Sequence, residues 1–537
     1  MELKRGVLVA AILGSTVVAV DATVVNVALP AIADDLGGGL AGQQWTANAY
    51  LLTLASLILV SGSLADLYGE RRVFTLGVIG FGVTSLACAL APTVELLVIA
   101  RGLQGVSGAL LTPASLAMIV AVFPERERGA AIGAWTAWGG IGYLIGPLVG
   151  GQLVDSVSWR WVFAINVPVV LLTLFLAARN VPGGRERSAE EGPPPRLDVV
   201  GAVLCALGLG GISFGLIEQP VMGWGDVLVW LPLVGGVALF VAFVAYELRT
   251  SSPMLPLELF GRRNFSVANA QTLLMYGALA IQGFFLTLFL QQVAGFSAFA
   301  AGSSGLVPTV VMFVLSQRFG ALADQRGPRW FMTVGPLLVA LGFVLMLRMD
   351  EVTSYLWDLV PALAVFSLGL AMTVSPLTAT VLADADEHDA GIASAVNNAI
   401  ARTAGLLATA AVGAVLAASY GDRLDAALGG RELSAASRAE VARARDRALA
   451  PADTGGLPAA ERPVVAEAVE EAGVATFHLA ALIGGGMVGL AGLLGGGLLR
   501  NPRRQTTAEG CPGGQIVGHP RDASGHRHEA VPADTPA

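Results

Sequence analysis

Two charges stand where charge is expensive. Asp21 interrupts an apolar run from about residue 6 to 29, and Arg101 interrupts another from about 94 to 120. Ionisable groups inside a hydrocarbon-spanning helix are rare, which makes the acid a candidate for reversible protonation and the arginine a candidate counter-ion. If the first run leads toward one membrane face and ends near Leu29, Asp21 lies about 12 Å beneath that face, at about 1.5 Å per residue. Counted from Val94 on a helix running back, Arg101 lies about 10 Å beneath the same face. The two charges share a depth and can meet. A static ion pair that only joins helices would use the same residues.

A second constellation is polar and repeated. Gly62, Leu64, Ala65, Asp66, Gly69 and Arg71 recur at the same spacing as Gly320, Leu322, Ala323, Asp324, Gly327 and Arg329, and Arg72 extends the first copy. An acid, a glycine turn and a base between two apolar runs can work as a latch. The acid pairs with a base or a helix N-terminus in one conformation and releases it in another. An ordinary capped turn accounts for a single copy equally well. The duplication marks a membrane protein assembled from repeats, as many secondary transporters are.

The elements that must hold these groups are membrane helices. Of the 537 residues, 54% are hydrophobic and only 13% charged, with 67 glycines, which is not soluble-domain composition. Apolar stretches of about 20 residues recur along the chain, each long enough to span the bilayer as a helix. The expected class is an all-α polytopic membrane protein. The net charge of −8 is dispersed and implies no nucleic-acid partner. Cys88, Cys205 and Cys511 show neither metal-ligand spacing nor an obvious pairing, so no metal is expected. No Gly-Lys-Ser/Thr phosphate loop and no nucleophile–base constellation appears, so the chain reads as neither ATP-driven nor enzymatic, with no cofactor and no obligate protein partner. Lys4 and Arg5 precede a run long enough to read as a retained first helix rather than a cleaved signal.

Breaking the chain at its charged and Gly/Pro-rich turns gives about fourteen helices, with the repeated turn after the second and the tenth. Two helices then lie inserted between two six-helix halves. The expected division is 1–181 for the first half, 182–197 for a Pro-rich linker and 198–247 for the inserted pair. The second half follows at 248–500 and a disordered cytoplasmic tail at 501–537. Arginines alternate between loops: Arg71, Arg72, Arg126, Arg128, Arg185, Arg187, Arg196, Arg262, Arg263, Arg326, Arg329 and Arg500 fall on one side with Lys4 and Arg5. The positive-inside rule makes that side cytoplasmic, with both termini there and residues 420–475 outside. In that outer segment Ser437 and Glu440 have the spacing of a capping box.

Asp21, Thr23, Asn26, Val27, Ala28, Leu29 and Pro30 resemble the first-helix signature of the fourteen-helix drug:proton antiporter family of the major facilitator superfamily. The turn from Gly62 to Arg72 is similar to the superfamily's loop motif, and Arg101, Gln104, Gly105 and Gly108 to its fourth-helix motif. Gly142, Gly146, Pro147, Gly150 and Gly151 resemble its fifth-helix antiporter motif. Trp159, Arg160, Trp161, Phe163, Asn166 and Pro168, then Leu290, Gln291, Gly295, Ser297, Ala301, Gly302 and Pro308, continue the match. The resemblance implies a major facilitator fold in the plasma membrane and a multidrug-efflux antiporter. It would export amphipathic, lipophilic or monocationic drugs and antibiotics against inflowing protons, with Asp21 and Arg101 as the coupling pair. From spacing alone, Gly142, Gly146 and Gly150 share one helical face suited to close helix packing. Asn26, Gln104, Gln271, Gln282, Asn397, Asn398 and Arg402 are candidates to line a substrate cavity. A proton-coupled importer and a non-transporting receptor or scaffold stand as the alternatives.

Overall fold

Backbone groups in hydrocarbon have no water to bond, so long apolar runs close their hydrogen bonds internally as helices. The computed structural model describes residues 2–181, 198–250, 253–383, 390–429 and 431–501. Among these residues fourteen helices of 15 residues or more occur. They are α1 (Glu2–Leu36), α2 (Gly39–Tyr68), α3 (Glu70–Ala89), α4 (Val94–Val122), α5 (Glu125–Ser156), α6 (Asn166–Asn180), α7 (Val199–Met222) and α8 (Val227–Glu247). After them come α9 (Arg263–Gln292), α10 (Leu306–Arg326), α11 (Pro328–Met346), α12 (Val360–Ala383), α13 (Ala390–Leu428) and α14 (Arg462–Leu498). Twelve of these, taken with their short flanking turns, are long and apolar enough to cross a membrane. The other two, α2 and α5, have 30 and 32 residues; α5 is diluted by glycines such as Gly139 and Gly140, whereas α2 follows its polar start at Gln43 and Gln44 with an apolar run from Ala49 to Val60. Both pack inside the same bundle, α2 on α4 and α5 on α1.

Two groups of helices emerge from the contacts. One is α1 to α6, joined through α1 with α4, α5 and α6 and through α3 with α4 and α6. The other is α9 to α14, joined through α9 with α13 and α14 and through α11 and α10 with α12. The inserted pair α7–α8 packs tightly on itself, and α7 alone touches both groups, at α2 and at α13. Asp198 starts α7 by accepting the Gly201 amide at 2.8 Å, and Asp226 starts α8 by accepting that of Leu228 at 2.8 Å. The outer face of α8 is inverted for water, since Leu231, Val234, Val237 and Val241 are exposed while Val229, Gly236 and Phe243 are buried. A surface of that kind requires lipid.

The bundle has two distinguishable ends. The arginine end carries Arg71, Arg72, Arg262, Arg326 and Arg329. The other, the lobe end, carries a short helix, Ala435–Arg447, whose apolar face joins a core with Ile32, Leu40, Tyr420 and Leu424. The expected capping box is displaced here. Ser434 caps the helix, accepting the Ser437 amide at 3.3 Å, and Glu440 instead accepts the Asp453 amide at 2.8 Å and pairs with Arg443. Glu461 takes the Ser434 amide and hydroxyl, which is why the cap sits three residues upstream of the sequence expectation. The linker at 182–197 and the tail beyond Asn501 lie outside the described residues.

Candidate functional site

Five helices deliver the groups around Asp21. The carboxyl is fully buried and Arg101 is 1% exposed. Arg101 donates from Nη1 to Asp21 Oδ2 at 2.5 Å and to Gln104 Oε1 at 2.7 Å, and from Nε to the Thr46 carbonyl at 3.0 Å. Gln104 Nε2 donates to Asp21 Oδ1 at 2.9 Å and to Ser85 Oγ at 2.8 Å. Asn166 Nδ2 donates to the same Asp21 oxygen at 3.0 Å. The guanidinium also lies 4.4 Å from the Tyr50 ring centroid and 5.7 Å from that of Phe163, within cation–π range. A buried ion pair repays its desolvation only when its remaining hydrogen-bonding capacity is met. Every neighbour of Asp21 in this network is a donor, so the site is built to hold an ionised carboxylate.

Arg101 is also where the network meets open space. A cavity of about 540 Å³ lies between the two helix groups. Its walls come from α1 (Ala22, Thr23, Asn26), α2 (Asn48, Tyr50), α4 (Arg101), α5 (Tyr143), α9 (Tyr276, Gly283, Phe284) and α13 (Asn398, Arg402, Thr409). Of the residues expected to line it, Asn26, Asn398 and Arg402 do. Gln104 belongs to the Asp21 network instead. Gln271 is buried and ties α9 to α11 and α14 by donating to the Met332 and Ala491 carbonyls, at 2.8 and 2.7 Å. Asn397 joins α13 to α9 through Asn269 at 3.0 Å and Thr272 at 2.7 Å, and Gln282 stands outside the lining. Asn48, Tyr50, Tyr143 and Tyr276 line the cavity without having been singled out. The polar tract Gln43 to Tyr50 inside an otherwise apolar helix was the available signal for the first two.

The α5 glycines seat that helix against the one bearing Asp21. A Cβ on Gly142 would approach Thr16 and Ala19 to 3.1 and 3.2 Å, and on Gly146 it would meet Thr23 Oγ1 at 2.3 Å and the Val20 carbonyl oxygen at 2.9 Å. On Gly150 it would meet Val24 at 2.4 Å. Toward the lobe end the contact passes to the other helix group. Gly151 faces the Ala298 carbonyl, and Pro147 faces Gly302. Asp155 completes this seam by accepting the Ala298 and Phe299 amides at 3.0 and 2.8 Å. A second seam joins α2 to α13, where Gln44 donates to the Thr409 carbonyl at 2.7 Å and Thr409 to Asn48 at 3.0 Å; between α9 and α1, Gln291 donates to the Val27 carbonyl at 3.1 Å. Further down α5, Gly129, Gly133, Gly139 and Gly140 face open space. The groups are closed together toward the lobe end, where both seams lie, and these α5 glycines meet no neighbour from the other group.

The repeated turns fold alike. Gly69 has φ 88° and ψ 137°, and Gly327 has φ 88° and ψ 150°, a region that side chains exclude. Each donates its amide to a buried alanine carbonyl, Ala65 at 2.9 Å and Ala323 at 2.8 Å. Arg71 reaches the Ala178 carbonyl at 3.5 Å near the end of α6, and Arg329 reaches the Gly496 carbonyl at 2.9 Å near the end of α14. Both bases therefore complement a helix C-terminus within their own group. Gly62 has open space beside it, Arg72 and Asp324 are exposed, and the side chain of Asp66 lies outside the described residues.

The family model described as Major Facilitator Superfamily matches residues 11–409. The chain is 33% identical over 487 residues to the tetracenomycin C resistance and export protein of Streptomyces glaucescens, covering 89% of this chain and 88% of that protein. It is 36% identical over 416 residues to a puromycin resistance protein of Streptomyces alboniger, covering 76% and 81%. Among solved structures, a bacterial homolog to the human lysosomal transporter Spinster, in an inward-facing and unoccupied conformation, superposes with a TM-score of 0.64 at 16% identity, covering 92% of this chain and 97% of that one. At that identity the likeness is one of fold.

Proposed function

The chain belongs to the Major Facilitator Superfamily, and from that premise we propose that it exports amphipathic or lipophilic antibiotics and related small molecules across the plasma membrane in exchange for protons. The relatives named for resistance and export support the direction and the substrate range. The observation that carries the coupling is the buried Asp21–Arg101 pair, whose arginine forms part of the cavity wall while its carboxylate lies behind it. Protonation of Asp21 removes the charge that holds Arg101, so the two protonation states favour different arrangements of α1 and α4. The α5 glycine face packs directly on α1 beside Asp21 and transmits that change to the seam at Pro147 and Asp155.

By the positive-inside rule the arginine end is taken as cytoplasmic, and the closed seams at the lobe end support an inward-facing reading of the cavity. All fourteen helices cross the bilayer in this reading, with both termini cytoplasmic. The matched turns at Gly69 and Gly327, with Asp66, Arg71, Arg72, Asp324 and Arg329, form a latch that opens and closes the cytoplasmic side. Accordingly, Asp66→Asn slows turnover without weakening substrate affinity.

The test is uptake of a fluorescent substrate by everted vesicles with an acidic lumen. Accumulation that collapses with a protonophore and is absent in Asp21→Asn supports the reading. Accumulation in right-side-out vesicles driven by an inward proton gradient would instead make the protein an importer.

A further inference from the structure

The cavity carries one more positive charge than it can balance. Arg101 is matched by Asp21, but Arg402, from α13, has no carboxylate partner among the described residues, and the cavity lining contains no Asp or Glu. Its Nε is buried without a hydrogen-bond partner. A guanidinium nitrogen withdrawn from water and left unpaired is costly, and a ligand oxygen bearing negative charge removes that cost through a charge-assisted, often bidentate contact with the partly buried group. Around it the cavity supplies aromatic surface from Tyr143, Tyr276 and Phe284 and neutral polar groups from Asn26 and Asn398. The Tyr50 hydroxyl is committed to the Val18 carbonyl at 3.4 Å and Arg101 to three acceptors, so neither competes for the ligand's acid group.

The geometry points to Arg402 as an anion-accepting subsite, and to aromatic amphiphiles bearing a carboxylate or phenolate as the substrate class. This rests on the reading of the cavity as the substrate site and reverses the monocationic preference that the family resemblance implied. An organic cation entering the same cavity meets a net positive wall with no acid to receive it.

The test uses two xanthene dyes of similar shape and opposite charge, anionic fluorescein and cationic rhodamine 123, bound to purified full-length protein in lipid nanodiscs and followed by fluorescence anisotropy. Fluorescein is expected to bind at least about tenfold tighter, and Arg402→Gln to weaken it roughly 10- to 100-fold, the range for a hydrogen bond to a charged group. Arg402→Lys retains part of the affinity, and rhodamine 123 binds Arg402→Gln as well as or better than wild type. That second dye also reports that the variant is folded. Equal weakening of both dyes, tighter binding of rhodamine 123 by wild type, or no saturable fluorescein binding overturns the inference. Proton-driven transport in vesicles is scored separately. Asp21-dependent accumulation without a charge preference removes only the subsite, whereas Arg402-dependent binding without uphill transport removes the exchange mechanism and leaves the subsite standing.

Discussion

The Asp21–Arg101 pair allows a prediction with a sign that a mere helix tie would not share with an ordinary polar contact. Arg101→Met leaves a carboxylate that is fully buried and still receives hydrogen bonds from Gln104 at 2.9 Å and Asn166 at 3.0 Å, but has lost the cation paired with it. Breaking a buried pair in this way costs about 3–5 kcal/mol. Asp21→Asn fails for the complementary reason. Arg101, Gln104 and Asn166 all point donors at the position, so the new amide nitrogen finds no acceptor while the guanidinium stays charged. That substitution costs a similar amount. In the double variant both charges are gone, and Gln104 Oε1, freed from Arg101, becomes available to accept from the amide. The double variant should therefore lose roughly 3 kcal/mol less than the sum of the two single losses. The measurement is reversible unfolding of the detergent-solubilised protein by sodium dodecyl sulfate, followed by circular dichroism across the four proteins. Additive losses would refute the electrostatic account. In everted vesicles the double variant, though restored in stability, should still fail to concentrate substrate, because it has no group left to exchange the proton.

Gly69→Ala and Gly327→Ala should each cost about 1–3 kcal/mol, since both glycines hold φ 88°, and thermal unfolding checks this; an unchanged midpoint for either would mean that turn adopts another conformation. Gly146→Val places a branched side chain where Thr23 Oγ1 and the Val20 carbonyl already lie within 3 Å, so it should destabilise by about 1–3 kcal/mol and abolish proton-driven accumulation in vesicles. Ala436→Cys, on the exposed start of the lobe helix, should react with an impermeant maleimide in intact cells, and reaction only after permeabilisation would invert the topology; Ser437 is buried and unsuitable for this purpose. Hydrogen bonds from the Ser437 and Ser434 hydroxyls hold the Glu461 carboxyl below its ordinary value, so its contribution is present above that value and is lost as the pH falls through the lowered one. Hydrogen exchange of the 434–437 amides, corrected for intrinsic rates, should accelerate in wild type as the pH falls below the ordinary glutamate range and show no such step in Glu461→Gln.

How much of this was readable beforehand varied with the kind of contact. Helix rise alone set Asp21 and Arg101 at one depth, and a four-residue spacing alone aligned Gly142, Gly146 and Gly150, because both properties belong to single helices. The partners that complete the site do not. Ser85, Asn166 and the Thr46 carbonyl come from three other helices, and their arrival depends on how each helix is rotated in the bundle. The same rotation separates Arg402, which faces the cavity, from Asn397, which is turned toward α9. Both are polar residues on one helix, and hydropathy cannot rank them. The lobe shows a different limit. Ser434 and Ser437 are equally plausible caps by type, and the choice is made by Glu461, 27 residues away.

The position of α7 has a kinematic consequence. It touches α2 of one helix group and α13 of the other, and Trp45 donates its indole N–H to Glu218 across the first of these contacts at 2.7 Å. A body wedged against two others that rock is least disturbed when their rotation axis runs close to it. Displacement then grows with distance from that axis. The α2–α13 seam would behave as a pivot, and the opening stroke would be borne where Asp155 holds the Ala298 and Phe299 amides. The inserted pair would in this way choose which edge of the molecule is the door and which is the hinge.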